Sequence, residues 1–167
     1  MEEKAGNEGV RMSLDILNWV DKELSKNCND TVHDFLAYLA EQMIELNKAK
    51  NEEIKGFLKW FEREIGYNVD DLTGKTVLKD YHEGDLLAFL AVLKKNKTKL
   101  SIDPTNRKFQ ESLEKHFEES MAILKPLKEK IQATDNLIDQ IVYRLYGLTS
   151  EEVEIVEGKN KYALPLS

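Results

Sequence analysis

Two long apolar stripes constrain this chain more than anything else in it. In the first, apolar residues recur at Val32, Phe35/Leu36, Leu39, Met43, Leu46, Ile54, Phe57/Leu58, Phe61 and Ile65. In the second they recur at Phe109, Leu113, Phe117, Met121, Leu124, Leu127, Ile131, Ile138, Val142 and Leu145. Most steps are three or four residues, the spacing that puts side chains on one face of a helix. The stripes predict two amphipathic helices, 31–65 and 104–146. The first stripe turns polar over Asn47–Glu53, so it is either one helix or two broken near Asn51. Continuity is preferred, because neither Gly nor Pro punctuates that stretch; Gly56 lies inside and costs about 1 kcal/mol relative to Ala. Pro126 interrupts the second stripe, lacking the helical donor and crowding the preceding turn. The stripe keeps its phase across it, which favours a kink near Ala122–Pro126 over a break.

End signals support these limits. Asp30 or Thr31 can cap the first helix, and Gly66 can stop it. Asp103 as N-cap, followed by Pro104 at the first helical position, predicts the start of the second. Within Leu137–Gly158, Gly147 ends the helix, and Thr149 with Glu152 has the spacing of a capping box.

The rest of the chain supplies shorter elements. Residues 1 to 11 read as disordered, and Met12–Lys26 as a helix with Leu14, Leu17, Val20 and Leu24 on one face. SKNCND (Ser25–Asp30) is a polar break. Tyr67–Glu83 is a connector with turn chemistry at Asp70-Asp71 and Thr73-Gly74. Asp85 can cap a helix from Leu86 to Lys97 with LLAFLAVL as its body, either buried on most sides or meeting a partner. The expected fold is all-α: an antiparallel helical hairpin, coiled-coil-like or built into a compact bundle, with extra short helices. The expected division is a tail and short helix at 1–30, a helical domain at 31–158 and a tail at 159–167.

Composition narrows the function. The 167 residues carry a formal charge of −7, which repels nucleic acid and anionic membranes at long range. The lone cysteine, Cys28, excludes an internal disulfide and fits a reducing compartment. No apolar run approaches a membrane span of about 20 residues, and the polar start MEEKAGNEGV is no signal peptide. A cytoplasmic location without membrane association is expected, in which the sequons at Asn29 and Asn96 carry no meaning.

No catalytic, cofactor or metal site is expected. G-x-G-x-x-G and G-x-x-x-x-G-K are both absent. His33, His82 and His116 lack ligand spacing. Tyr81-His82-Glu83 reads as polar surface in a turn-rich segment. Asp34, Glu41 and Glu45 form a solvated face. Glu53-Ile54-Lys55 has the E-x-K spacing of some metal-dependent nucleases but falls mid-helix. One basic run stands out: Lys94, Lys95, Lys97, Lys99, Arg107 and Lys108 against Asp103, six cations and one acid for +5. It can meet phosphates, although lysines at a helix C-terminus also complement its dipole. No aromatic residues interleave with it for base stacking.

Ile138–Glu152, reading IDQIVYRLYGLTSEE, resembles the C-terminal end of type II restriction–modification enzymes. These are prokaryotic chains in which an adenine-N6 DNA methyltransferase is fused to, or paired with, an endonuclease. The resemblance continues through His33–Gly66, Asp70–Thr76, Leu78–Asp85, Leu93–Leu100 and Leu124–Leu148. The family's N-P-P-Y loop and its glycine-bearing loop for S-adenosylmethionine are missing, so no catalytic residue transfers. The resemblance implies a non-enzymatic scaffolding or interaction module. Its partner would be the DNA methyltransferase or recognition subunit, with a homodimer as a variant. Leu86, Leu87, Phe89, Leu90, Tyr143 and Tyr146 are the candidate contact residues, and ordinary core packing accounts for them equally well. Direct contact of the Lys94–Lys108 run with DNA is the alternative.

Overall fold

The three longest helices of this protein stop at residues held at positive φ. Asn27 (φ 59°) ends the first helix, with Asn27 N–H donating to the Leu24 carbonyl and Cys28 N–H to the Glu23 carbonyl. Gly147 (φ 64°) repeats the arrangement, its N–H on the Arg144 carbonyl and the Leu148 N–H on the Tyr143 carbonyl. Both are Schellman ends, which satisfy carbonyls the helix leaves open. Gly66 (φ 65°) makes the simpler single-bond version, donating to the Glu62 carbonyl.

The computed structural model describes residues 2–158, with side chains from residue 8 onward. Among the described residues the fold is all-α, with no strand. The helices are α1 Glu2–Ser25, α2 Asn29–Ile65, α3 Lys75–Lys79, α4 Leu86–Lys95, α5 Arg107–Leu145 and α6 Ser150–Val156. Short 3₁₀ turns cover Val69–Asp71 and Tyr81–Glu83. The chain divides into two units, residues 1–43 with 132–167, and residues 44–131.

In the first unit Val20, Val32, Leu39 and Ile141 form a buried cluster. Ile16, Leu17 and Trp19 of α1, Phe35 and Leu36 of α2, and Leu137, Ile138 and Leu145 of α5 close around it. Trp19 meets Phe35 edge-on at 5.5 Å, and Arg144 Nε pairs with Asp21 at 3.1 Å. α1 is thus part of a packed unit. The Thr149–Glu152 capping box forms as expected and starts α6.

In the second unit α2 and α5 pair antiparallel: Trp60 stacks on His116, Phe57 meets Phe117, and Glu53 accepts from Ser120. Phe57, Phe61, Tyr81, Phe89 and Phe117 form the aromatic centre, with Phe57 and Tyr81 at 4.1 Å. Asp85 caps α4 by accepting from Ala88 N–H at 2.8 Å.

Several expectations need correction. The chain is helical from Glu2, not from Met12, because EEKA consists of good helix formers. Leu14 is not on the packed face; it is 55% exposed. α2 begins at Asn29, which puts Asp30 inside the first turn. α5 begins at Arg107 rather than Pro104. Asp103 instead closes a turn, accepting from Thr105 N–H and Oγ1, and Asn106 takes the cap by accepting from Phe109 N–H. Two preferences hold: α2 is one helix through Asn51, and α5 is not broken at Pro126. The tail expected at 159–167 lies outside the described residues.

Candidate functional site

Three features of the surface and interior can be built from the residues upward. The first is a groove of about 390 Å³ in the first unit, lined by Met12, Asp15, Ile16 and Trp19 of α1 and Phe35 of α2. The α1 residues are spaced i, i+3, i+4, i+7, so one helix face supplies that wall. Tyr38, one turn beyond Phe35, stacks on it at 6.2 Å and is 52% exposed. Met12 is 69% exposed. Asp34 and Glu41, one turn either side of Tyr38 on the same helix face, are both exposed.

The second is a polar bridge inside the second unit. Tyr81 Oη and Ser120 Oγ lie 2.7 Å apart, and Ser120 Oγ donates to Glu53 Oε1 at 2.7 Å. The hydroxyl proton of Ser120 is committed to the carboxylate, so Tyr81 donates to Ser120. Burial of Tyr81 is the main reason its phenol pKa is pushed up to about 12, and the Glu53 charge adds to it. Next to this bridge, Lys128 Nζ contacts Glu83 Oε1 at 2.8 Å and donates to the His82 carbonyl at 3.1 Å. Burial first, and the Lys128 charge second, lower the His82 pKa, while the hydrogen bond from Lys128 lowers that of Glu83. A cleft of about 430 Å³ opens beside it, with Met121, Ala122 and Leu124 as its apolar lining and His82, Lys125, Lys128 and Glu129 as its polar lining. Of Tyr81-His82-Glu83, only Glu83 is polar surface: Tyr81 is 1% exposed and belongs to the core, and His82 is largely covered. The repeat of apolar residues three apart, Val69/Leu72 and Leu78/Tyr81, was the available signal, and all four are buried.

The third is the basic run. All six side chains, Lys94, Lys95, Lys97, Lys99, Arg107 and Lys108, are exposed. Three are already engaged within the chain: Lys97 with Asp103 at 3.5 Å, Lys99 with the Asp71 carbonyl at 3.1 Å and Arg107 with Glu111 at 2.6 Å. Asp103 has a lowered pKa, chiefly through its hydrogen bonds from Thr105.

The expected contact residues divide by burial. Leu87 (77%) and Tyr146 (73%) are exposed. Phe89 and Tyr143 are buried, and Leu86 and Leu90 pack against the core of the second unit. The aromatic face expected at Tyr143 and Tyr146 is thus reduced to Tyr146, because the Tyr143 ring turns inward. Sequence periodicity missed the Met12–Phe35 groove, although α1 and α2 both carry the apolar residues that line it.

Of the three histidines, His116 stacks on Trp60 at 3.9 Å, His82 is largely covered and His33 is exposed. Among the described residues no three His, Cys, Asp or Glu side chains converge to hold a metal ion, and no helix is long and apolar enough to cross a membrane.

The profile of a domain of unknown function (DUF8810) matches residues 29–142, and the chain belongs to that family. No curated protein and no solved structure matches the chain.

Proposed function

We propose that this chain is a non-catalytic helical interaction module of a DNA restriction–modification system. It docks on a methyltransferase or recognition subunit, or on a second copy of itself. The observation that carries the interaction reading is the groove between α1 and α2, where Met12 and Tyr38 stand exposed beside Trp19 and Phe35. Large apolar side chains gathered at a surface mark a place where another molecule removes them from water. The restriction–modification partner is drawn from the ordered sequence resemblance of His33–Leu148.

The test is co-expression with the methyltransferase and recognition subunits of such a system, followed by size-exclusion chromatography with light scattering. A stable complex or a dimer is expected. A monomer that joins none of these subunits sinks the reading.

A second reading is contact with the DNA backbone, favoured by the exposure of all six cations of the Lys94–Lys108 run. Duplex DNA titrated at low and moderate salt decides it. Binding must fall steeply with salt and vanish on replacing Lys94, Lys95, Lys97 and Lys99 by Gln. No binding at low salt ends it.

A further inference from the structure

We propose that the groove between α1 and α2 takes one kind of occupant: an amphipathic helix of a partner protein whose apolar face is flanked by Lys or Arg on the side that faces α2. This assignment rests on the reading of the chain as an interaction module and specifies its partner.

The floor sets the helical form. Met12, Ile16 and Trp19 along one face of α1 and Phe35 of α2 line it, and Tyr38 lies beside it, stacked on Phe35. Two neighbouring helices leave a linear apolar trough, and a third helix fills such a trough with residues at i, i+3, i+4 and i+7. All the groove's own backbone groups are used inside α1 and α2, so an added strand would find no partner there.

The rim sets the charge. On α2 the positions flanking Tyr38 are Asp34 and Glu41, both exposed and both acidic. Neither takes part in an ion pair among the described residues. On α1 the rim is mixed, with Arg11 one turn before Asp15. The selective edge is therefore that of α2. Across residues 8–43 acids outnumber bases seven to three, which disfavours an acidic occupant and steers a basic one.

Two fluorescently labelled amphipathic peptides with the same Leu face, one flanked by Lys and the other by Glu, test this on the full chain by anisotropy. The Lys peptide is expected to bind about tenfold or more tighter at low salt, with the difference shrinking as salt is raised. Asp34→Lys with Glu41→Lys, both at exposed positions, is expected to reverse the preference. Met12→Gln, at a side chain that is 69% exposed and so tolerated by the fold, is expected to weaken the Lys peptide. Equal binding of both peptides, binding of neither, or insensitivity to all three substitutions overturns the proposal. So does a dimer that dissociates on Met12→Gln, because a second copy then occupies the groove. If neither peptide binds while a restriction–modification subunit still captures the chain, the groove assignment falls and the module reading stands.

Discussion

Asn96 and Thr73 exchange two hydrogen bonds across 23 residues of chain: the Asn96 Oδ1 accepts from Thr73 N–H at 3.0 Å, and Nδ2 donates to the Thr73 carbonyl at 2.8 Å. Nδ2 also donates to the Val92 carbonyl at 2.8 Å. Asn96 is 2% exposed, so one amide side chain ties the loop before α3 to the end of α4 with every polar atom used. Asn96→Ala removes three hydrogen bonds made by a buried side chain and is expected to cost about 3 kcal/mol. Asn96→Asp is expected to cost more, since it turns a carboxylate oxygen toward two carbonyls. Urea denaturation measures both. A loss below about 1 kcal/mol for Asn96→Ala would show that water replaces the side chain there.

Three glycines separate conformational strain from steric overlap. Gly56 lies in α2 with open space around it, and Gly56→Ala is expected to stabilise by about 1 kcal/mol. Gly147 also faces open space but sits at positive φ, so Gly147→Ala is expected to destabilise by about 1 kcal/mol from strain alone. Gly66 has both problems. A Cβ there would run into Ser101, whose own Cβ is 2.9 Å away. Ser101 cannot step aside, because its N–H and Oγ both donate to the Ile65 carbonyl, at 2.9 and 2.8 Å. Gly66→Ala must therefore be the most damaging of the three. Thermal melts giving any other order contradict this account of the helix ends.

What could be read in advance was whatever is set by neighbours along the chain. The stripes from Val32 to Ile65 and from Phe109 to Leu145 depend only on helical period, and the ends at Asp85, Gly66, Gly147 and Thr149 on local hydrogen bonds. What could not be read was set by distant residues. Tyr81 sits in a turn-rich segment and is buried because Phe57, Phe117 and Ser120 surround it. The start signal at Asp103-Pro104 was spent on a turn once Asn106 could cap the helix. The groove escaped for a similar reason: period alone does not tell which apolar residues of α1 and α2 stay uncovered.

His82 gives the fold an expected dependence on mild acid. Its pKa is lowered chiefly by burial and then by the charges of Lys128 and Lys50, with Glu83 and Asp80 pulling the other way. A histidine whose folded pKa lies below its unfolded value stays neutral in the fold while the unfolded chain takes up a proton. Stability is then complete above the unfolded value of 6.5 and is lost as pH falls through the folded value. The carboxylates with lowered pKa, Glu83, Asp70 and Asp103, act in a lower window, below their ordinary values of 4.5 and 3.8. His82→Gln should flatten the loss of stability that sets in as pH falls below 6.5 and leave the loss below 4.5 in place. Denaturation midpoints collected across both windows check this, and an unchanged profile in the variant would assign the upper window elsewhere.

Leu87 and Phe89 lie two positions apart in the apolar run of α4 and should behave in opposite ways. Phe89 is fully buried, meeting Phe61 at 4.8 Å and Phe57 and Phe117 at 6.0 Å. Phe89→Ala removes a ring from a close-packed centre and is expected to cost about 3–5 kcal/mol. Leu87 is 77% exposed, and Leu87→Ala is expected to change stability by less than about 0.5 kcal/mol. Because it leaves the fold intact, Leu87→Ala also isolates the contribution of α4 to docking. If α4 meets the methyltransferase or recognition subunit, the variant loses affinity for that subunit at unchanged melting temperature. Undiminished capture by the subunit would move the contact away from α4, leaving the Met12–Phe35 groove and Tyr146 as the surfaces to test.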